Sequence, residues 1–322
     1  MRNHRKLQYT IALFLSFSLL LSGCNLLPLQ TDKNSETLET ESGSEIHSVA
    51  ESETEFYEIE TEESTESFVP VVQTQLGYNE QIKLDFVEQP KKRNREEAIA
   101  KIKELSRWYP ALYFVYQNAD KYTTEMLLSG AGNPEMADFL YGYLTAEPVV
   151  RGGFTEAETS ETYPLFLQFD PRWGYMPYGT EGNMGSSGCG PTCLSMAVYY
   201  LTGDRNCTPD AVARYSLDNG YYVKGVGTAW SLLAHYPRTY GLSSRQISWS
   251  EANLKAQLDK GNILICSVRL GKFTSSGHFI VIYGYDENGF KINDPKSVYR
   301  SDLTWDYEEF KADIKATWSI GK

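Results

Sequence analysis

The sequence pattern of residues 160–322 in this 322-residue chain predicts an α+β domain, with helices first and an antiparallel sheet afterwards. The helical part is indicated by an apolar run over residues 193–201, which is followed by a glycine at position 203. Three later runs of β-branched and aromatic residues have the length and composition of strands, at 263–268, 279–285 and 290–293. Because Asp286-Glu287-Asn288-Gly289 joins the last two runs, we expect them to form a hairpin.

At the start of the chain, residues 1–23 have the pattern of a secretory signal peptide. A short basic start is followed by an apolar stretch, Ile11 to Leu21, that is too short to span a membrane comfortably. The stretch ends in Leu21-Ser22-Gly23-Cys24, which resembles the lipobox of bacterial lipoproteins. The resemblance implies that Cys24 is acylated and anchors the protein in the lipid bilayer, on the outer, extracytoplasmic face of the bacterial cell membrane. A chance cysteine behind a signal peptide is the alternative.

Residues 24–78 are rich in serine, threonine and glutamate and show almost no apolar periodicity. Such a segment cannot bury enough apolar surface to offset the entropy lost on ordering, so we expect a solvated, lipid-anchored linker. Binding of calcium or of a basic wall polymer is the less favoured alternative. The chain has a net charge of −12, and removal of residues 1–23 would make it −15, which argues against a nucleic-acid partner.

A small helical segment is predicted over residues 79–150. Residues 95–105 place Ile99, Ile102 and Leu105 at helical spacing, and Pro110 is expected to end the pattern. Further short helices are expected at 111–117, 123–128 and 134–144. The expected core side chains are Trp108, Tyr113, Phe114, Tyr116, Phe139, Leu140 and Tyr143. We expect this segment to pack on the next domain; the alternative is that its aromatic residues also shape a substrate cleft.

The α+β domain is expected to begin with a strand at 165–169, which breaks into a turn rich in proline and glycine at 170–174. A loop over residues 178–187 then leads to the apolar run. Capping and proline signals indicate three more helices before the strands begin, at 208–215, 229–236 and 251–258.

Cys189 is predicted to lie at the N-terminus of the helix that the apolar run forms. Pro191 suits the first turn, because the N–H that proline lacks has no acceptor there. Unpaired backbone N–H groups and the helix dipole favour a thiolate at this point. Gly188 and Gly190 leave room for a substrate backbone and for the Cys189 N–H to face an oxyanion. The alternative is a buried structural cysteine.

His278 and Asp294 are predicted to lie near each other. His278 precedes the second strand run and Asp294 follows the third, so the hairpin returns Asp294 to within about three residues of the level of His278, and a bulge could align them. The carboxylate could then fix the imidazole tautomer and stabilise the imidazolium. Taken singly, each residue could be structural, as a core histidine or a turn-forming aspartate. Together with Cys189 they favour a catalytic set.

Over about residues 163–322, the chain resembles the papain-like cysteine peptidases of the bacteriocin-processing (double-glycine leader) type and their stand-alone relatives. The resemblance rests on four motifs in order, LQFDPRW, SGCGPT, GHF and NDP. It implies a papain-like fold with Cys189 as nucleophile, His278 as general base and acid, and Asp294 as orienting carboxylate. It also implies a glutamine oxyanion donor, which falls on Gln168; Asn183, six residues before the cysteine, is the alternative.

We therefore expect a membrane-anchored, extracytoplasmic cysteine peptidase or amidase that cleaves a peptide or protein substrate through an acyl-enzyme, with cell-wall peptides among the candidates. Peptidoglycan-peptide hydrolysis, transglutaminase-like acyl transfer and an inactive binding lipoprotein are the alternatives. No cofactor or metal is expected, because the sequence contains no phosphate-binding loop or metal-ligand cluster. Cys207 and Cys266 could form a disulfide outside the cytoplasm, and spacing alone leaves this open.

Overall fold

The computed structural model describes residues 78–147, 149–179 and 182–322. The predicted signal peptide, the lipidation site Cys24 and almost all of the linker lie outside the described residues. Among the helices of the described part, none combines the length and the apolar character that a membrane span requires.

Residues 78–160 are mainly helical, as the sequence predicts. Asn94 and Glu97 form a reciprocal cap at the start of the second helix, and Thr123 caps the fourth. Pro110 is the first residue of the third helix, a position where proline is well tolerated. The helices are α1 Tyr78–Gln81, α2 Arg95–Leu105, α3 Pro110–Gln117, α4 Thr124–Gly132, α5 Ala137–Thr145 and α6 Glu156–Ser160, with 3₁₀ turns at Ala119–Lys121 and Pro134–Met136.

The core of this segment differs from the expected one. Three of the expected aromatic residues are exposed, namely Trp108, Tyr113 and Tyr143. Helix α3 buries Leu112 and Val115, which lie three residues apart on one face, so Tyr113 falls on the solvent face. Phe139 and Leu140 are fully buried, as predicted.

The second half of the chain contains the predicted helices. The apolar run forms the longest of them, which starts at Cys189 and ends before Gly203, where φ is 69° and a left-handed cap suits glycine. The helix expected at 229–236 is shorter, since its last turn tightens into a 3₁₀ helix at Tyr236–Tyr240. The helices are α7 Met184–Ser187, α8 Cys189–Thr202, α9 Pro209–Asp218, α10 Trp230–His235, α11 Glu251–Leu258, α12 Val298–Asp302 and α13 Tyr307–Phe310.

The strands are β1 Tyr222–Val223, β2 Gly227–Thr228, β3 Ser243–Ile247, β4 Ile263–Val268, β5 His278–Asp286, β6 Gly289–Asn293, β7 Thr304–Trp305 and β8 Ile314–Gly321. Strands β1 and β2 form a separate hairpin, and the other six form one antiparallel sheet in the order β3-β8-β4-β5-β6-β7. Helix α8 shares one core with one face of β4 and β5, and α11 and α13 share a second core with the other face. The α+β prediction is confirmed.

The prediction of a strand at residues 165–169 is wrong. Residues 164–167 are irregular and the next two form a turn, although the whole stretch is buried. The backbone N–H of Phe166 points at the sulfur of Met196 at 3.4 Å, and the N–H of Gln168 donates to the Pro295 carbonyl at 2.7 Å. Because these groups bond to a side chain and a loop, the stretch joins no sheet.

The four cysteines of the described residues are all free thiols. Cys207 donates to the carbonyl of Asp204 at 3.0 Å, and Cys266 contacts the Thr317 hydroxyl at 3.4 Å. The disulfide that spacing left open between Cys207 and Cys266 is therefore not formed.

Candidate active site

Cys189 is the first residue of α8, and Gly188 stands at the N-cap. At this position the backbone N–H of Cys189 has no acceptor within the helix, and the helix dipole favours a negative charge. The side chain is half-buried and lines a cleft, whereas Cys193, one turn along the same helix, is fully buried. Cys189 is thus the accessible thiol at the site.

A register shift brings Asp294 towards His278. In the β5–β6 hairpin, Tyr285 pairs with Phe290, but a shift between Ile282 and Gly284 sets Asn293 opposite Val281. This irregularity is the bulge that the sequence analysis considered, and it moves the end of β6 one residue closer to His278. Nε2 of His278 lies 2.7 Å from Oδ1 of Asp294. The other ring nitrogen, Nδ1, is not engaged by Asp294, and the Cys189 thiol lies close enough to His278 for the two groups to interact electrostatically.

Asp294 is fully buried and accepts two further hydrogen bonds. The Lys296 backbone N–H donates to Oδ1 at 2.8 Å, and Nε of Arg300 donates to Oδ2 at 2.7 Å. Arg300 lies in α12 and is itself buried, so its charge compensates the buried carboxylate. Sequence reasoning missed Arg300, because no motif marks an arginine six residues after the aspartate.

The electrostatics of the three groups favour a thiolate–imidazolium pair. Burial lowers the pKa of His278, but Asp294 and Cys189 outweigh this effect and raise it to about 9. Burial raises the pKa of the Cys189 thiol, but its interaction with His278 brings it below its ordinary value. Burial also raises the pKa of Asp294, but the charges of Arg300 and His278 hold it well below its usual range. The carboxylate therefore stays ionised beside the imidazolium.

The structure separates the two candidate oxyanion donors. Gln168 is buried, lines the same cleft as Cys189 and donates from Nε2 to the Gly185 carbonyl at 2.7 Å. Its Oε1 has no partner among the described residues. Asn183 does not line the cleft; its Oδ1 accepts from the Ser186 N–H at 2.9 Å and caps the short helix α7. Only Gln168 shares the cleft with the thiol.

The cleft has a volume of about 1100 Å³, and Cys189 and His278 both line it. Its walls include the β1–β2 hairpin, the loop at residues 273–277, Lys315 of β8 and the helical segment. The helical segment contributes residues 90–93 and residues along α4 from its start to its end. The aromatic residues that were considered for this role do not line the cleft, so the polar part of the segment shapes it instead.

The family model described as the Peptidase_C39 like family matches residues 161–321. This match covers half of the chain and contains Gln168, Cys189, His278, Asp294 and Arg300. The chain belongs to the Peptidase_C39 like family. The α+β fold is accordingly that of a papain-like cysteine peptidase, and membership in the Peptidase_C39 like family supports a function of the cysteine-peptidase type.

Two solved structures are each similar to about half of the chain. One is the peptidase domain of Streptococcus ComA, a bifunctional ABC transporter involved in a quorum-sensing pathway, with 19% identity, a TM-score of 0.36 and coverage of 49% of this chain and 98% of that chain. The other is a C39-like peptidase from Bacillus anthracis, with 16% identity, a TM-score of 0.33 and coverage of 50% of this chain and 94% of that chain. No curated protein matches the chain.

Proposed function

We propose that this protein is a lipid-anchored, extracytoplasmic cysteine peptidase or amidase that cleaves peptide bonds through Cys189, His278 and Asp294. The observation that carries the proposal is that Cys189 and His278 line one cleft, while the imidazole of His278 is hydrogen-bonded to the buried carboxylate of Asp294. The anchor at Cys24 rests on the sequence of residues 1–24 alone.

The reaction is acyl transfer to the thiol, followed by hydrolysis. The Cys189 thiolate attacks the substrate carbonyl, and the oxygen that becomes negative accepts hydrogen bonds from the Cys189 N–H and from Gln168. His278 gives its proton to the departing amine, so the C–N bond breaks and the acyl-enzyme remains. A water molecule then attacks the acyl-enzyme while His278 takes a proton from it, and the thiolate is restored.

Asp294 acts through His278. Its bond to Nε2 keeps the Nδ1 side of the ring turned to the thiol, and its charge stabilises the imidazolium. Arg300 holds the second oxygen of the carboxylate and so fixes its orientation. We assign Asp294 and Arg300 as positioning residues, since they do not touch the reacting atoms.

The first test is the rate at which iodoacetamide modifies Cys189 in the full chain, as a function of pH and read by mass spectrometry of the peptide that carries Cys189. We expect reaction well below the ordinary thiol pKa of about 8.5, because His278 lowers the pKa of the thiol. In His278→Ala the profile should move to higher pH. Hydrolysis should fall above a pH of about 9, where His278 loses the proton that the leaving amine needs.

Cys193→Ala is the matched control, because Cys193 lies one turn along α8 and burial raises its pKa well above the ordinary value. This variant should keep the labelling profile, whereas Cys189→Ala should lose both labelling at this position and hydrolysis of a mixed peptide library. Hydrolysis that persists in Cys189→Ala would contradict the assignment of Cys189 as the nucleophile. An ordinary labelling profile without hydrolysis in the wild-type protein would leave a binding lipoprotein as the better account.

A further inference from the structure

The cleft around Cys189 is large enough for an extended peptide. Its volume of about 1100 Å³ exceeds the roughly 300–1,000 Å³ of most small-molecule pockets. Residues from both the helical segment and the α+β domain line it, so a ligand above the thiol meets both parts of the chain. The charge of this lining bears on which peptides fit.

Basic side chains dominate the lining. Among the described residues that line the cleft, seven are lysine or arginine, and Glu125 is the only carboxylate. Residues 79–322 as a whole carry 26 lysines and arginines against 29 aspartates and glutamates. The cleft is thus strongly basic within a part of the chain that is slightly acidic, and such a concave surface focuses a positive potential.

Three of the seven basic groups have a carboxylate partner. Arg300 pairs with Asp294, and Lys91 and Arg93 share the single carboxylate of Glu88. Glu88 can offset only one of its two partners, so these three groups together add less charge to the cleft than their number suggests. The positive potential therefore depends mainly on the other four groups.

Those four are Lys92, Lys224, Lys296 and Lys315. Lys92, Lys224 and Lys315 are exposed, and none of these three has an ion-pair partner among the described residues. Lys92 lies in the coil before α2, Lys224 at the tip of the β1–β2 hairpin and Lys315 on strand β8. The ammonium of Lys315 lies 5.6 Å from the centre of the Trp230 ring. Lys296 is half-buried beside the thiol, and its charge helps to lower the pKa of Cys189.

We propose that the cleft selects acidic peptide segments, which place carboxylate side chains against Lys92, Lys224 and Lys315. This proposal rests on the proposed function and adds a substrate class to it. An extended chain exposes successive side chains on opposite sides, so an acidic peptide meets lysines on different walls at once. A basic peptide is repelled at every one of these positions.

The acidic peptide has two possible sources, a separate substrate or the protein's own N-terminal stretch. Residues 24–78 contain 13 acidic residues and one lysine, and the described structure begins directly after them, at the helical segment that lines the cleft. Residues 51–66 alone contain eight glutamates. The chemistry is the same for both sources, so the experiment must separate them.

The test measures peptide affinity in the full chain carrying Cys189→Ala, which prevents turnover. The probes are a fluorescein-labelled peptide with the sequence of residues 51–66 and the same peptide with every glutamate replaced by glutamine. By fluorescence anisotropy at low salt, we expect the glutamate peptide to bind about tenfold more tightly, because each exposed charge pair contributes a factor of about two to three. The difference should shrink as salt screens the charges.

Two triple variants test whether the lysines of the cleft cause the preference for the glutamate peptide. In Lys92→Gln, Lys224→Gln, Lys315→Gln most of the preference for the glutamate peptide should be lost, because only Lys296 remains of the four groups. The matched control makes the same change in charge outside the cleft, with Lys103→Gln, Lys260→Gln and Lys311→Gln. This control variant should keep the preference for the glutamate peptide. Equal affinity for the two peptides, or the same preference in both variants, overturns the proposal. A reactive Cys189 without a charge preference would sink this inference and leave the proposed function intact.

A third variant separates the sources. The eight glutamates of residues 51–66 are replaced by glutamine within the full chain, and the anisotropy measurement is repeated. If the chain's own stretch occupies the cleft, the added glutamate peptide should bind about tenfold more tightly once the stretch is neutral. Unchanged affinity, with the preference intact, assigns the cleft to a separate acidic substrate.

Discussion

The orientation of the Gln168 amide is set by one hydrogen bond at the edge of the cleft. A primary amide has two N–H groups, and one of them donates to the Gly185 carbonyl at 2.7 Å. In the proposed mechanism, the second N–H is the donor to the oxyanion. Asn183 has a different task, since its oxygen caps α7 and its side chain lies away from the cleft lining.

Gln168→Ala and Asn183→Ala should therefore differ in kind. Loss of an oxyanion donor lowers kcat by about 100- to 1,000-fold, and we expect this from Gln168→Ala with little change in KM. Asn183→Ala should cost about 1 kcal/mol of stability through the lost cap and leave kcat of the folded protein unchanged. The measurement is kcat and KM on a peptide found in the library screen, with urea unfolding for stability. The reverse pattern would assign the donor to Asn183.

At the scale of elements, the start of α8 is packed against the β1–β2 hairpin. A Cβ added at Gly190 would lie 2.7 Å from Cβ and Oγ1 of Thr228, closer than ordinary contacts allow. Thr228 in turn hydrogen-bonds to the Tyr178 hydroxyl at 2.9 Å, so it has little room to move. The glycine next to Cys189 is thus required by packing on a neighbouring element.

Gly190→Ala should destabilise the protein by about 1–3 kcal/mol through overpacking, although alanine is the better helix former. Gly132→Ala is the matched control at the end of α4, where an added Cβ meets nothing within 4 Å. That variant should be neutral or gain up to about 1 kcal/mol. Urea midpoints at constant slope measure both effects. Equal changes in the two variants would show that helix propensity, and not the contact with Thr228, governs the position.

At the scale of the whole molecule, the helical segment and the peptidase part share one core. A single cluster of buried residues runs from Ile102 and Leu112 through Phe169 to Met196 of α8. Phe139 of α5 stacks on Tyr175, with ring centres 4.8 Å apart. The helical segment therefore belongs to the same folded unit, and the wall that it contributes to the cleft is held by this core.

Phe139→Ala should cost about 3–5 kcal/mol, as expected for a fully buried aromatic side chain. Because the core is continuous, we expect one unfolding transition in urea, shifted as a whole to lower concentration, by both circular dichroism and tryptophan fluorescence. Two separate transitions, with only one of them moved, would mean that the helical segment folds as an independent unit.

Strands were predicted only where their own residues carry a signal. Strand β4 was found because five of its six residues are apolar, and the hairpin of β5 and β6 because Asp286-Glu287-Asn288-Gly289 marks the turn. Strand β8 was missed, although apolar residues alternate at 314, 316, 318 and 320, which is a period-two signal. Strand β3 reads Ser-Ser-Arg-Gln-Ile and carries no such signal, because pairing with β8 defines it.

Sequence by itself determined the parts of the site whose signals are local: Cys189 at a helix start, His278 and Asp294 at the open end of a hairpin, and an acidic stretch ahead of the fold. Only the tertiary structure decided that Gln168 and not Asn183 lines the cleft, and that the helical segment forms one of its walls. It also decided that Arg300 holds the carboxylate. These features depend on contacts between distant segments, such as Asn133 with the Lys296 carbonyl. Burial and hydrogen bonding in the folded chain select such contacts, and no local pattern records them.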